Sequence, residues 1–280
     1  MPPHFLILTL AVGAFAAGCG AASTMSRVGT DEGASSAVPA GITVLDERTP
    51  TADVDPCAEA RAAAWPRVEA MAVTALLPLD ADPAEAADDS VAPLLRVDAS
   101  AGGMQGAASS PYVYLNLTHT RQSVALSDVD AATSPDWHVA LKRTQFRVNS
   151  GDSGVGQVRM ARIHGTWDEV VAAPEQVMQN GTLTWATDRS VDQRCEVVRD
   201  PIGQPWTAMN ELNADNPSGS HSWYLYGPDG VSVAAETLYL VHDVASSSAW
   251  LVEIVDWQDG VWTLRWHSLA DSVVRELDPS

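Results

Sequence analysis

The chain has 280 residues and carries 36 acidic side chains against 16 basic ones, a formal charge of −20. Such a field repels a phosphate backbone and excludes nucleic acid as a partner. An apolar fraction of 46% suits a folded protein with a real core, and neither a wholly disordered chain nor a multi-span membrane protein.

Residues 5–17, FLILTLAVGAFAA, form an apolar run. It is shorter than the roughly 20 residues that cross a bilayer and has the length of the central region of a signal peptide. Ala16, Ala17 and Gly18 then precede Cys19. A signal peptidase needs small side chains before its cut, and a lipid transferase needs a thiol. The run A-A-G-C resembles the bacterial lipobox. It implies a lipoprotein signal peptide over 1–18 and a membrane tether through acyl chains, palmitate among them, on Cys19. The leader departs from that pattern in having no Lys or Arg before the apolar run. Its alternative is an ordinary signal peptide with a chance cysteine. Gly20 stands where an Asp often marks inner-membrane retention, which favours the outer membrane or cell surface.

Two cysteines remain, Cys57 and Cys195. In an oxidising compartment they can pair and close a long loop; two separate buried thiols are the alternative. Residues 19–90 read as a linker. Its first part is rich in Ala, Ser, Thr and Gly. Residues 57–77 have loosely helical spacing broken by Pro66, which predicts one or two short helical turns. Residues 78–90, PLDADPAEAADDS, are an acidic connector.

The domain proper is expected over 91–280. Nine of the ten tryptophans lie between Trp137 and Trp266, and short apolar runs alternate with turn signals. Val113, Leu115 and Leu117 alternate with Tyr112, Tyr114 and Asn116. Trp137, Val139 and Leu141 oppose His138, Ala140 and Lys142. Trp262, Leu264 and Trp266 oppose Thr263, Arg265 and His267. Period two marks half-buried strands. Asn180-Gly181, Asp229-Gly230 and Asp259-Gly260 supply the positive φ of tight hairpins. No helix longer than about ten residues is expected after residue 100. The fold class is all-β, mostly antiparallel, a sandwich or meander.

The segment 136–156, DWHVALKRTQFRVNSGDSGVG, joins a strand opening on Trp, a basic pair, a strand with Arg-x-Asn and a Gly-rich turn. It resembles the signature of the HmuY family, lipid-anchored β proteins of bacterial surfaces whose founding members bind haem. LRVDAS (95–100) and YVYLNL (112–117) are similar to its first strands. YGPDG (226–230), ETLYLVHD (236–243) and WLVEIVDWQDGVWTLRW (250–266) are similar to its last. The likeness covers about 92–268. It implies a HmuY-like β domain and a binding protein without catalysis. Its ligand would be haem or another small apolar molecule, with an outer-membrane transporter as partner. A structural or interaction lipoprotein that kept the fold and lost haem ligation is the alternative. Trp137, Arg143, Arg147, Asn149, Gly151 and Gly154 are read as structural. Arg147 faces away from Phe146 and Val148 and can donate a fork of hydrogen bonds.

In haem-binding members two axial ligands, commonly His, hold the iron. One precedes a Gly-Pro turn; the matching residue here is Tyr226, before Gly227-Pro228. The second region, between Gly181 and Gly219, has no histidine and only Met209 as a soft donor. His221 and Tyr226 are the pair that could share a pocket. No metal-ligand spacing joins His119, His138, His164, His221, His242 and His267, and His267 is expected in solvent. Gly151-Asp152-Ser153-Gly154 reads GDSG, but the nearest earlier histidine, His138, is too close for a trypsin-like fold. Asp128-x-Asp130 and Asn213-x-Asp215-Asn216 lack the rest of a calcium loop and are read as solvated.

Overall fold

The computed structural model describes residues 55–79, 92–119, 122–180, 183–216, 219, 221–228, 230–235 and 237–277, all within the unit Asp53–Ser280. The leader, Cys19 and most of the acidic connector lie outside the described residues. The strands are β1 (Leu77–Pro78), β2 (Leu95–Asp98), β3 (Val113–Leu115), β4 (Val139–Lys142), β5 (Gln145–Val148) and β6 (Val158–Ile163). They continue with β7 (Trp185–Ala186), β8 (Tyr224–Gly227), β9 (Gly230–Val233), β10 (Leu238–Asp243), β11 (Ser248–Gln258) and β12 (Val261–Ser268). The helices are short: α1 (Ala58–Ala64), α2 (Gly103–Gly106), α3 (Asp128–Ala131), α4 (Trp167–Ala172), α5 (Pro174–Asn180), α6 (Ala208–Leu212) and α7 (Asp271–Leu277).

A seven-stranded sheet runs β1-β2-β12-β11-β10-β6-β7, a three-stranded sheet runs β3-β4-β5, and β8-β9 form a ribbon. Every pairing is antiparallel. Between the sheets lies an interior built from Val113, Leu141, Phe146 and Val148 on one side and Val97, Met160, Val252 and Leu264 on the other, with Trp262 and Trp266. The far face of the large sheet, with Leu238, Leu240 and Leu251, is covered by Trp167, Val170, Val273 and Leu277 from α4 and α7. The far face of the small sheet is covered by Trp65, Ala131 and Trp137. β3 and β10 are therefore dry on both faces, which is why they are apolar on both sides, whereas Arg96 and Asp98 on β2 are exposed.

Residues 57–79 belong to this unit, so the domain begins well before residue 91. The expected helical turns are α1. After Pro66 the chain becomes an extended arm. Met71 and Ala75 bridge to Ser127 and Gln122, Leu77 and Pro78 pair with Arg96 and Leu95, and Val124 bridges in turn to Tyr114 on β3. The arm thus stitches the small sheet to the large one. Its even-numbered Leu76 is buried and Ala72 packs on the interior, while Met71, Val73, Leu77 and Leu79 point outward. On the opposite side Asp188, just after β7, completes the wrap. Its Oδ2 accepts the Val148 amide of β5 at 3.1 Å, its Oδ1 accepts the Ala208 amide of α6 at 2.8 Å, and its carbonyl accepts Asp152 N–H at 3.0 Å.

Two readings of the local pattern need correction. Trp137 lies outside β4 and packs with Ala140 and Tyr114, so it does not share the face of Val139 and Leu141; strand alternation begins only at Val139. Asn180 ends helix α5 and is no hairpin turn; Gly181 is outside the described residues. The Asp259-Gly260 turn holds. Asp259 and Gly260 take φ 51° and 93° between β11 and β12, the paired positive values that a two-residue hairpin needs. Gly230 (φ 104°) opens β9 opposite Gly227, so the connecting residues are 228–229, and Asp229 is outside the described residues. The arm sets a contrast for unfolding in urea. Leu76→Ala should cost about 2–4 kcal/mol, whereas Val73→Ser should stay within about 0.5 kcal/mol.

Candidate functional site

The most elaborate cluster of polar groups surrounds Arg147. Alternation on β5 sends Phe146 and Val148 into the interior and turns Arg147 outward, beneath a strap, residues 55–65, that carries Trp65. The guanidinium lies 4.2 Å from the Trp65 ring centre, 4.5 Å from that of Tyr112 and 5.8 Å from that of Trp137. It donates from Nε to Ser153 Oγ at 3.2 Å and from Nη2 to Ser153 O at 2.9 Å, the fork expected of it. Arg147 is buried, as are Asp128 and Asp188 nearby. Burial opposes its charge, but the surrounding Tyr112, Tyr114, Asp188 and Asp128 outweigh that and hold its pKa above the ordinary value. A cleft of about 10 Å³ beside it, lined by Trp65, Arg67, Asp128, Arg147, Asp152 and Ser153, has room for one water.

The remaining motif residues build the frame of this cluster. Asn149 Nδ2 donates to Ser134 O and Trp137 O, and its Oδ1 accepts Gly156 N–H. A Cβ on Gly151 (φ 59°) would overlap the Asp188 carbonyl, and one on Gly154 would overlap Asn149 Oδ1. Arg143 takes φ 51° in the β4–β5 turn. There the Arg143 carbonyl accepts Trp257 Nε1–H at 2.9 Å and the Thr144 carbonyl accepts Trp223 Nε1–H at 3.0 Å. All six residues have structural partners.

The expected ligand pair is not gathered around one cavity. Tyr226 is 74% exposed on the β8–β9 ribbon. His221 is half-buried at φ 48°, its ring 5.7 Å from that of Trp206 and its carbonyl held by Asn210 Nδ2. Met209 is buried in the interior cluster. Of the other histidines, His119 and His164 are exposed, and His267 is half-buried, less solvated than its polar strand face suggested. His242 is fully buried and accepts Arg159 Nε–H. His138 is buried, accepts Leu117 N–H at Nδ1 (2.9 Å) and stacks on Trp250. Among the described residues no group of three His, Cys, Asp or Glu side chains could hold a metal.

In the acidic loops Asp130 and Asp215 are exposed, as expected, but Asp128, Asn213 and Asn216 are buried. Asp128 is buried, with Oδ1 accepting Tyr112 N–H and Tyr114 O–H and Oδ2 accepting Val68 N–H. Asn213 binds Met209 O and Tyr239 O–H, and Asn216 binds Ser222 O and Tyr224 O. These side chains satisfy buried backbone groups instead of facing water. Ser153 of the GDSG run is buried against Arg147. Asp188, Trp65 and Ser190, whose hydroxyl accepts Trp65 Nε1–H, went unnoticed in the sequence. No local pattern marks them, because their side-chain partners are 20 or more residues away.

Cys57 and Cys195 form a disulfide across 138 residues, with Cα atoms 4.9 Å apart. No family model matches the chain, and no curated protein is significantly similar to it.

Two buried titratable groups oppose each other across mildly acidic pH. Burial pushes Asp188 up to about 6 from an ordinary 3.8, so stability is lost as pH rises through that interval. Burial also pushes His138 down to about 4 from 6.5, with Asp243 opposing, so stability is gained as pH rises through that one. Each contributes about 1–2 kcal/mol between pH 5 and 7. Urea unfolding should show the parent nearly flat over this window. His138→Phe should lose stability with rising pH, and Asp188→Asn should gain it. Equal slopes in both variants would contradict the assignment.

Proposed function

We propose that this is a lipid-anchored, non-catalytic interaction module of the bacterial surface, with a HmuY-like β domain that does not ligate haem. The observation that carries this reading is the outward row of Met71, Val73, Leu77 and Leu79, 44–60% exposed on one face of the arm. Contiguous apolar surface outside a filled core marks contact with other macromolecules. The interior offers little to a flat ligand: Trp223, Trp257 and Trp262 stack there on one another and on Phe146. The anchor rests on the A-A-G-C run ending at Cys19.

A haem-binding reading keeps one supporting feature, the solvent-facing phenol of Tyr226 beside Gly227-Pro228. Haemin titration separates the two. The protein from residue 20 onward should give no saturable Soret shift under oxidising or reducing conditions. A saturable shift weakened by Tyr226→Phe or His221→Ala would restore haem binding. The anchor has its own test: the parent should partition into the detergent phase of a Triton X-114 extract and Cys19→Ser into the aqueous phase. Equal partitioning would remove the tether from the account.

A further inference from the structure

Residues 55–66 are held differently from the chain that follows. From Val68 onward the arm is woven between β2 and residues 122–128. Before Pro66, the strap is fixed at a few points: Ala64 and Trp65 pack with Tyr112 and Trp137, Trp65 lies on Arg147 and donates to Ser190, Arg61 pairs with Asp152, and Cys57 is bonded to Cys195. Helix α1 has seven residues and buries only Ala64, and isolated helices shorter than about 12–15 residues are marginal in water. The Arg61–Asp55 pair is exposed, contributes little and lies within the strap, so Asp152 is the one carboxylate outside the strap that Arg61 pairs with among the described residues. Pro66 has no N–H to bond and leaves a joint between strap and arm. Cys195 sits at φ 61°, a left-handed conformation that a non-glycine residue keeps only when its surroundings enforce it.

We propose that Cys57–Cys195 is a redox-operated clasp: on reduction, residues 55–65 lift about Pro66 and uncover the Arg147 guanidinium between Tyr112 and Trp137, while the wrapped sheet stays folded. The Cys195 residue is partly exposed and Cys57 is buried, so a dithiol reductant attacks the sulfur of Cys195. Cys57 leaves as a thiolate and a mixed disulfide forms. The second thiol of the reductant then attacks its own bonded sulfur and releases Cys195. Two electrons and two protons pass to the protein, and the reductant ends as a cyclic disulfide. The opened site is an arginine fork walled by aromatic rings. This proposal is independent of the membrane anchor and of haem.

Phenylglyoxal labelling read by mass spectrometry tests it on the full chain, with exposed Arg96 on β2 as internal reference. Arg147 should label roughly tenfold faster after dithiothreitol than before, as local opening predicts, and a cooperative thermal transition should persist. The double variant Cys57→Ser, Cys195→Ser should label at the fast rate with or without reductant. Labelling that is unchanged on reduction, or that rises only as the cooperative transition disappears, would overturn the clasp. So would a double variant that labels like the oxidised parent.

Discussion

A full positive charge buried among aromatic rings organises one side of this molecule. Burying an isolated guanidinium would cost far more than a domain's net stability, so the charge must be compensated where it sits. Ser153 takes its hydrogen bonds, Asp188 and Asp128 lie close by, and Trp65, Tyr112 and Trp137 surround it. Each of these groups comes from a different stretch of chain. The strap, β3, the loop before β4, the Gly-rich turn and the segment after β7 therefore meet at one side chain, and the meeting fixes their relative positions.

The same junction resolves the problem of open sheet edges. An exposed edge is a template for unwanted pairing. Here the arm fills the gap between β3's neighbours and β2, and the Asp188 carboxylate takes the amide that β5 would otherwise offer to a further strand. A carboxylate suits that place because it has two acceptors for two amides, Val148 and Ala208. A β-bulge at Ile254/Asp256 interrupts the register of the long β11 against β12, and such a bulge bends the strand that carries it. With the central strands covered on both faces, the arm's outward row is a prominent apolar feature of the described surface.

The sequence made some of this legible and hid the rest, for physical reasons. β12 could be read because one of its faces is interior, with Trp262, Leu264 and Trp266, while Arg265 on the other pairs with Glu253 in partial exposure. β10 could not be oriented, since Leu238 and Leu240 pack under helices as firmly as Tyr239 and Val241 pack inside. Asp128 and Asn213 looked solvated because a carboxylate or amide in a loop usually is; their amide and hydroxyl partners are set by tertiary structure alone. The strap's helical turns are legible in its loose spacing, but its seat on the sheet is not, because a single Trp after an Ala-rich run does not say what it packs against. Motif residues Arg147, Asn149, Gly151 and Gly154 were recognisable as structural because the turn they build is local. Asp188, which completes it from 37 positions beyond Gly151, was not.

A double-mutant cycle between Trp65→Leu and Arg147→Met, measured by urea unfolding, tests most directly whether the buried guanidinium couples strap to sheet. The account predicts a coupling of about 1–2 kcal/mol, the range for a desolvated cation over an aromatic face. Additivity within about 0.3 kcal/mol would contradict it, leaving Trp65 and Arg147 as neighbours with no energetic part in each other's position.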